Sequence, residues 1–393
     1  MRLIIILSLT LYSLLANSLD QQIEALEKRL KAYEDRLLLS HDDTHFTIGG
    51  RLQFDAVSNR PSLNLSGGSN TYDYRLSPYS FSDNAPISKL STSVKNSRLW
   101  FKTSQKTSLG ILRSIIEVDF WGSNGTETAS NSHNIRLRHA YVTLNAWTVG
   151  QTYSSFISNS MPDTIYTALD LAFVRQPLIK YTSSFNQIYL DISLENPETK
   201  LLNLDTNQTT LYNDDRFFDS VIRIRWEKKK FKASISSILR YLSVEKNSEA
   251  ISTVAWGFNS SLKYSFDHGD YIQTAFAQGK GIGRYLSLGY FNAGELNNQA
   301  IELLPLQSGH LSYTHKFTKN LRSTLLWSHI ESQSSQELQF LKPERVEASH
   351  INLRYTPLEK TLITLEYIHG KREQLSQTTQ KLDRIMASFS YIF

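Results

Sequence analysis

The sequence predicts an all-β protein: a 16-stranded antiparallel transmembrane β-barrel preceded by a short N-terminal α-helical coiled coil. Three observations lead there. Strand-length runs follow one another from Phe46 to the end, joined by links that alternate short and long. Many runs are apolar on one parity and basic on the other: in 134–144, Ile135, Leu137 and Tyr141 share a face opposite Arg136 and Arg138, because successive strand side chains point to opposite faces. A soluble sheet has no use for bare arginines on a face meant for partners, whereas a bilayer barrel sets apolar side chains against lipid and charges in a watery lumen. Finally, beyond residue 18 no apolar run approaches the roughly 20 residues of a spanning helix.

The first segment, 1–18, reads as a secretory signal. Arg2 supplies the positive end, Leu3 to Leu15 the apolar core, and Ala16-Asn17-Ser18 the small residues of a cut after Ser18. The chain is thus expected in the outer membrane of a Gram-negative bacterium, entering it by strands. With no cysteine in 393 residues, a disulfide framework and a cysteine metal site are excluded. Aromatic residues make up 11% of the chain, as rings at two membrane interfaces require.

The second segment, 19–45, is a periplasmic coiled coil and linker. Ile23, Leu26, Leu30, Tyr33 and Leu37 repeat at alternating steps of three and four over 20–39, the spacing of a coiled-coil seam. Glu24/Lys28 and Glu27/Lys31 support it as i,i+4 pairs. So short a helix needs a partner: its own copies in a homotrimer, the barrel mouth, or a cell-wall contact. His41-Asp42-Asp43-Thr44-His45 reads as polar linker rather than metal site.

The third segment, 46–393, is the barrel. Its spans read as 46–57, 96–104, 110–121, 134–144, 146–153, 173–182, 185–195, 216–227, 231–243, 251–266, 271–279, 309–317, 320–331, 346–356, 360–371 and 381–393. Short links then become periplasmic turns and long ones extracellular loops. The long links include 58–95, 154–172, 196–215, 244–250 and 280–308. Arg284–Asn292 is strand-like, but counting it would break the alternation, so it is placed in a loop. The link 154–172, with Met161-Pro162-Asp163, is the candidate to fold into the lumen. The last strand ends with Phe389, Tyr391 and Phe393 on one outward face.

Charge then points to function. The formal net charge is +5. Removing Arg2 leaves +4, and 19–45 carries seven acids against four bases, so 46–393 holds +7, spread along strands. That distribution argues against nucleic acid and for an anion-attracting interior. On the polar faces lie Arg51, Arg98, Lys102, Arg136, Arg138, Arg175, Lys180, Arg223, Arg225, Lys232, Arg240, Lys263, Arg322 and Arg354, against the acids Asp55, Glu117, Asp119, Glu227 and Glu366. Basic rings at a constriction select anions, and guanidinium forks match carboxylate and phosphate oxygens. For any one arginine the plain alternative is a wall salt bridge. No H-E-x-x-H, G-x-S-x-G or P-loop occurs, and Gly279-Lys280-Gly281-Ile282-Gly283-Arg284 is not a dinucleotide fingerprint. No enzyme, cofactor or metal is expected.

Six stretches stand out together: Ser97-Arg98-Leu99-Trp100-Phe101-Lys102-Thr103, Glu117-Val118-Asp119-Phe120-Trp121-Gly122, Ile135–Tyr141, Val149-Gly150-Gln151-Thr152, Phe173-Val174-Arg175-Gln176-Pro177 and Gly281-Ile282-Gly283-Arg284-Tyr285-Leu286. Through them, most densely over 97–182, the chain resembles the DcaP-like family of trimeric outer-membrane porins. The resemblance implies a sixteen-stranded trimer that takes up small anions, dicarboxylates in particular. The family's arginine-rich constriction would fall on Arg136, Arg138, Arg175, Arg98 and Arg284. Lys102, Lys180, Arg223 and Arg225 join the expected pore lining by strand parity. The chain departs from the family at 199–213 and 293–308. A phosphate or polyphosphate porin, or a tethering barrel with a blocked lumen, are the rival expectations.

Overall fold

A computed structural model describes residues 44–60, 71–81, 89–125, 129–130, 132–158, 161–166, 168–169, 172–246, 248–297, 300–333, 344–374 and 379–393. The signal 1–18, all but the end of 19–45, and part of 154–172 lie outside the described residues. In chain order the strands are β1 (Thr44–Arg60), β2 (Lys89–Ser93), β3 (Arg98–Thr107), β4 (Gly110–Asp119), β5 (Arg136–Leu144), β6 (Trp147–Tyr153), β7 (Arg175–Phe185), β8 (Ile188–Glu195), β9 (Thr199–Asn203) and β10 (Gln208–Tyr212). They continue as β11 (Asp219–Lys228), β12 (Phe231–Lys246), β13 (Glu249–Ser265), β14 (Tyr271–Lys280), β15 (Gly294–Leu296), β16 (Ile301–Leu303), β17 (Pro305–Lys316), β18 (Leu321–Ser332), β19 (Glu344–Tyr355), β20 (Thr361–Gln374) and β21 (Thr379–Ile392).

Setting aside β2, β9, β10, β15 and β16, sixteen strands form one closed antiparallel wall, one for each expected span. β1 pairs with β3 on one side and β21 on the other, so the sheet has no free edge. Phe393 seals the seam, exchanging backbone hydrogen bonds with Gly50. Several hairpins turn through asparagines in the left-handed region, Asn145 at φ 50° and Asn186 at φ 54°, a conformation asparagine tolerates. Outward parity carries the apolar side chains: Leu99, Phe101, Ile222, Ile224, Trp226, Leu325 and Trp327 all point away from the lumen.

Several boundaries differ from the sequence expectation. The second span begins at Arg98, and the short β2 precedes it, pairing with the end of β1. β12 and β13 stay paired out to Lys246↔Glu249, so most of the expected link 244–250 is strand. Arg284–Asn292, by contrast, is loop as expected; its 3-10 turns at Gly283–Tyr285 and Ser287–Gly289 bury Tyr285 and Leu286. The segments 199–213 and 293–308 form a small separate sheet. β9 pairs antiparallel with β10 and parallel with β15, which pairs with β16.

The long-loop half of the lumen is packed. Inward Val57, Val221, Ile238, Ile330, Val346 and Met386 meet Tyr74, Leu76 and Phe81 from the first long link, Phe156 and Leu169 from the third, and Ile282, Tyr285 and Leu286 from the sixth. Arg240 belongs to this packing. Placed among the lumen bases by its parity, it is instead fully buried, bonded to Asp219 Oδ2 at 2.9 Å and to the Gly281 and Glu198 carbonyls at 2.7 Å. Loops folded inward have closed over it, so it holds structure rather than lining water.

Candidate pore constriction

The link after β6 crosses the lumen. Its Ser155 N–H donates to Glu195 on β8, and its Phe156 carbonyl accepts from Ser236 on β12 and Asn259 on β13. Farther along, Asp163 takes Arg322 Nε at 2.5 Å and Arg354 Nη1 at 2.6 Å, from β18 and β19. Ile165 N–H reaches Glu366 on β20, and the Tyr166 hydroxyl donates to Asp55 on β1 at 2.6 Å. Anchored at so many strands, this segment narrows the channel as the expected inward loop.

Facing it, β3, β4 and β5 carry a charge ladder. Arg136 grips Asp119 with two parallel bonds of 2.9 and 2.6 Å. Arg138 bonds Glu117 at 2.6 Å and Asp119 at 2.9 Å. Arg98 lies 3.7 Å from Glu117. Three guanidiniums thus share two carboxylates. A bulge makes this possible: Glu117 pairs with His139 and Val118 with Leu137, leaving Arg138 as the extra residue. One added residue reverses the parity beyond it. Tyr141, expected to face lipid with Leu137, therefore lies on the lumen parity, its ring 6.1 Å from that of His139.

Arg175 also breaks the parity expectation. It shares parity with the outward Ile179 and Tyr181, while Leu178 is buried. As the first residue of β7 it nonetheless swings over the Tyr153 and Phe173 rings, at 5.9 and 5.2 Å. It lines a cavity of about 510 Å³ with Arg75, Arg136, Lys200 and Arg284. At this mouth Arg284 donates to the Asn196 carbonyl and lies 3.8 Å from Glu198. A second cavity, about 230 Å³, is lined by Arg51, Arg75, Arg98 and Arg138 on one side and Met161, Pro162 and Tyr166 on the other. Arg75 and Phe173 line both cavities.

Arg75 was missed in the sequence because it sits in a long link, where strand parity says nothing. The signal available was the aromatic and apolar density of Tyr74-Arg75-Leu76 and Tyr79 within a polar link. Its guanidinium lies 4.9 Å from the Trp121 ring and 5.9 Å from that of Tyr166. It has no carboxylate partner among the described residues, and its Nε is buried without an acceptor. Burial first, and then the Arg136 charge, push its pKa down to about 10, so it remains a cation at neutral pH.

The other expected lining residues lie apart. Arg223 and Arg225 both hold Asp191, at 2.8 and 2.9 Å, and Arg225 also holds Glu227. Lys180 pairs with Ser193 on the neighbouring strand, on the same lumen face. Lys102 stacks 5.6 Å from the Trp100 ring. None of these four touches the two cavities.

A profile of the DcaP outer membrane protein family matches residues 14–393. Comparison with curated proteins gives no match. Among solved structures, the chain is similar to the outer membrane channel DcaP of Acinetobacter baumannii, with 21% identity and a TM-score of 0.74 over 89% of this chain and 97% of that one. It is also similar in fold to the trimer form of OmpT of Vibrio cholerae (9% identity, TM-score 0.56, covering 90% of this chain and all of that one). The Salmonella typhi OmpF complex with daunomycin is comparable (10% identity, TM-score 0.55, covering 90% and 99%). Closed wall, inward loop and family profile agree: the chain belongs to the DcaP outer membrane protein family, as a sixteen-stranded outer-membrane channel rather than an enzyme.

Proposed function

We propose that this channel passes small anions passively, dicarboxylates in particular, through an arginine-lined constriction. The observation that carries the proposal is the pair of cavities that share Arg75 and Phe173 as lining and are walled by Arg51, Arg98, Arg136, Arg138, Arg175 and Arg284. Arg75 and Arg175 have no carboxylate partner among the described residues. A positive, partly desolvated passage concentrates anions and repels cations. Two guanidiniums separated along one passage suit the two ends of a dicarboxylate, each end taken by a planar fork. Arg136 and Arg138, already held by Asp119 and Glu117, keep the wall charged without offering a full fork. The working form in this proposal is a homotrimer, its helices over 20–39 gathered on the periplasmic side after cleavage behind Ser18; the trimeric OmpT neighbour supports that assembly.

The test is single-channel current in a planar bilayer under a salt gradient, with and without succinate. The expected reversal potential is anion-selective, and succinate blocks transiently. Arg75→Gln with Arg175→Gln should weaken that block about tenfold, equivalent to about 1.4 kcal/mol. A cation-selective wild type defeats the proposal.

A further inference from the structure

A third cavity, about 450 Å³, continues the route toward the short-turn end of the barrel. Met161 and Pro162 line both it and the Arg51–Arg98–Arg138 cavity, so the tip of the inward loop stands between them. Its other walls include Asp163, Lys263, Tyr271, Lys316, Lys319 and Arg322. The register explains why these meet. Lys263 lies opposite Lys232 on one side and Gln273 on the other. Lys316 lies opposite Arg322, and Arg322 opposite Arg354.

Like charges set directly opposite on a sheet are destabilising. Here that occurs at Lys232/Lys263 and again along Lys316/Arg322/Arg354. Asp163 neutralises part of the second row, through Arg322 and Arg354. Among the described residues no carboxylate pairs with Lys232, Lys263, Lys316 or Lys319. Lys263 instead rests its ammonium 3.8 Å from the Tyr271 ring centroid, which holds it in position without cancelling its charge. A wall that keeps ammoniums without a salt-bridge partner in register around a space of about 450 Å³ has the chemistry of an anion site.

We infer that this lysine cluster is a second oxyanion site, in series with the arginine constriction and separated from it by Met161-Pro162. The inference rests on the anion reading above and adds an exit site to it. Arginine forks hold an anion by planar, bidentate contacts, while ammoniums are compact and strongly hydrated. A dianion leaving the constriction is therefore received by groups that let it regain water, which keeps binding multi-site and weak enough for flux. Small dianionic oxyanions, dicarboxylate or phosphate, are the ligand class.

Such a site makes block depend on the side of addition. Succinate added at the short-turn side meets the lysines first; added at the long-loop side it meets the arginines first. Lys263→Gln with Lys316→Gln should weaken succinate block from the short-turn side by about tenfold, in keeping with the loss of two point charges at close range, and leave block from the other side within about twofold. Lys263→Arg with Lys316→Arg should keep the block, and the open-channel current of each variant reports that the barrel has formed. An anion-selective channel whose block is unchanged by the glutamine pair, or changed equally from both sides, overturns the lysine site alone. A wild type without anion preference overturns the parent proposal with it.

Discussion

At the scale of single residues, Asp163 is the group on which the constriction hangs. Burial pushes its carboxyl up, but Arg354 and Arg322 outweigh this and hold it below the ordinary carboxylate range. A carboxyl depressed in this way contributes stability that is complete above its unfolded value, about 3.9, and is lost only as pH falls through the folded value. The latch should therefore hold across neutral and mildly acid pH. Conductance should stay constant from pH 7 to about 5, while Asp163→Asn should give a larger, noisier current throughout. The substitution removes two charge-assisted bonds, each worth about 1.5–3 kcal/mol; an unchanged current would show that the other anchors suffice. Residue by residue, legibility followed parity. The inward faces of Arg51, Asp55, Glu117, Lys263 and Arg322 were readable because each sits in a regular strand. Arg75 sits in a link without a period, Arg240 is covered by loops that fold in from elsewhere, and Arg175 lies at a strand end where the chain leaves the wall.

At the scale of elements, β5 decides which side chains meet water. Its bulge at Arg138 lets Arg136, Arg138 and His139 all reach the lumen, which strict alternation forbids. Deleting Leu137 should then do more harm than deleting Arg138. Without Arg138 one guanidinium is lost and the bulge closes, but Leu137 stays opposite Val118 and His139 opposite Glu117, each on its present face. Without Leu137 the bulge also closes, but Arg138 takes the place opposite Val118 and turns toward lipid. An arginine on the lipid face costs from near zero at the interface to about 2–4 kcal/mol at midplane. Refolding yield and succinate block should both fall further in the Leu137 deletion than in the Arg138 deletion; equal losses would mean that the bulge sets no facing. The sixteen wall strands were legible because each has its own period and a link of the right length on either side. The small sheet of β9, β10, β15 and β16 was not, since its strands are short and β9 finds β15 almost a hundred residues away. Arg284–Asn292 imitates a strand for a different reason: Tyr285 and Leu286 are buried by loops, so apolar residues there record packing inside the barrel rather than contact with lipid.

At the scale of the whole molecule, the barrel divides its own interior. Loops from three long links fill the long-loop half with an apolar core, and the route that remains runs past β1, β3, β5 and β7 and then beneath the inward loop to β13, β17 and β18. A route this basic should select by charge before it selects by size, and the two mechanisms respond differently to salt. The Debye length is about 10 Å at 0.1 M and about 3 Å at 1 M. In dilute salt the fields of Arg51, Arg75, Arg98 and Arg175 overlap across the passage; in concentrated salt each acts only on an ion beside it. The chloride-to-potassium permeability ratio, taken from reversal potentials, should thus be largest near 0.1 M and drop severalfold by 1 M. Succinate block should weaken over the same range, because the dianion gains more than chloride from an unscreened field. A ratio that stays constant with salt would mean that the guanidiniums are neutralised where they stand, and that the passage sorts solutes by width alone.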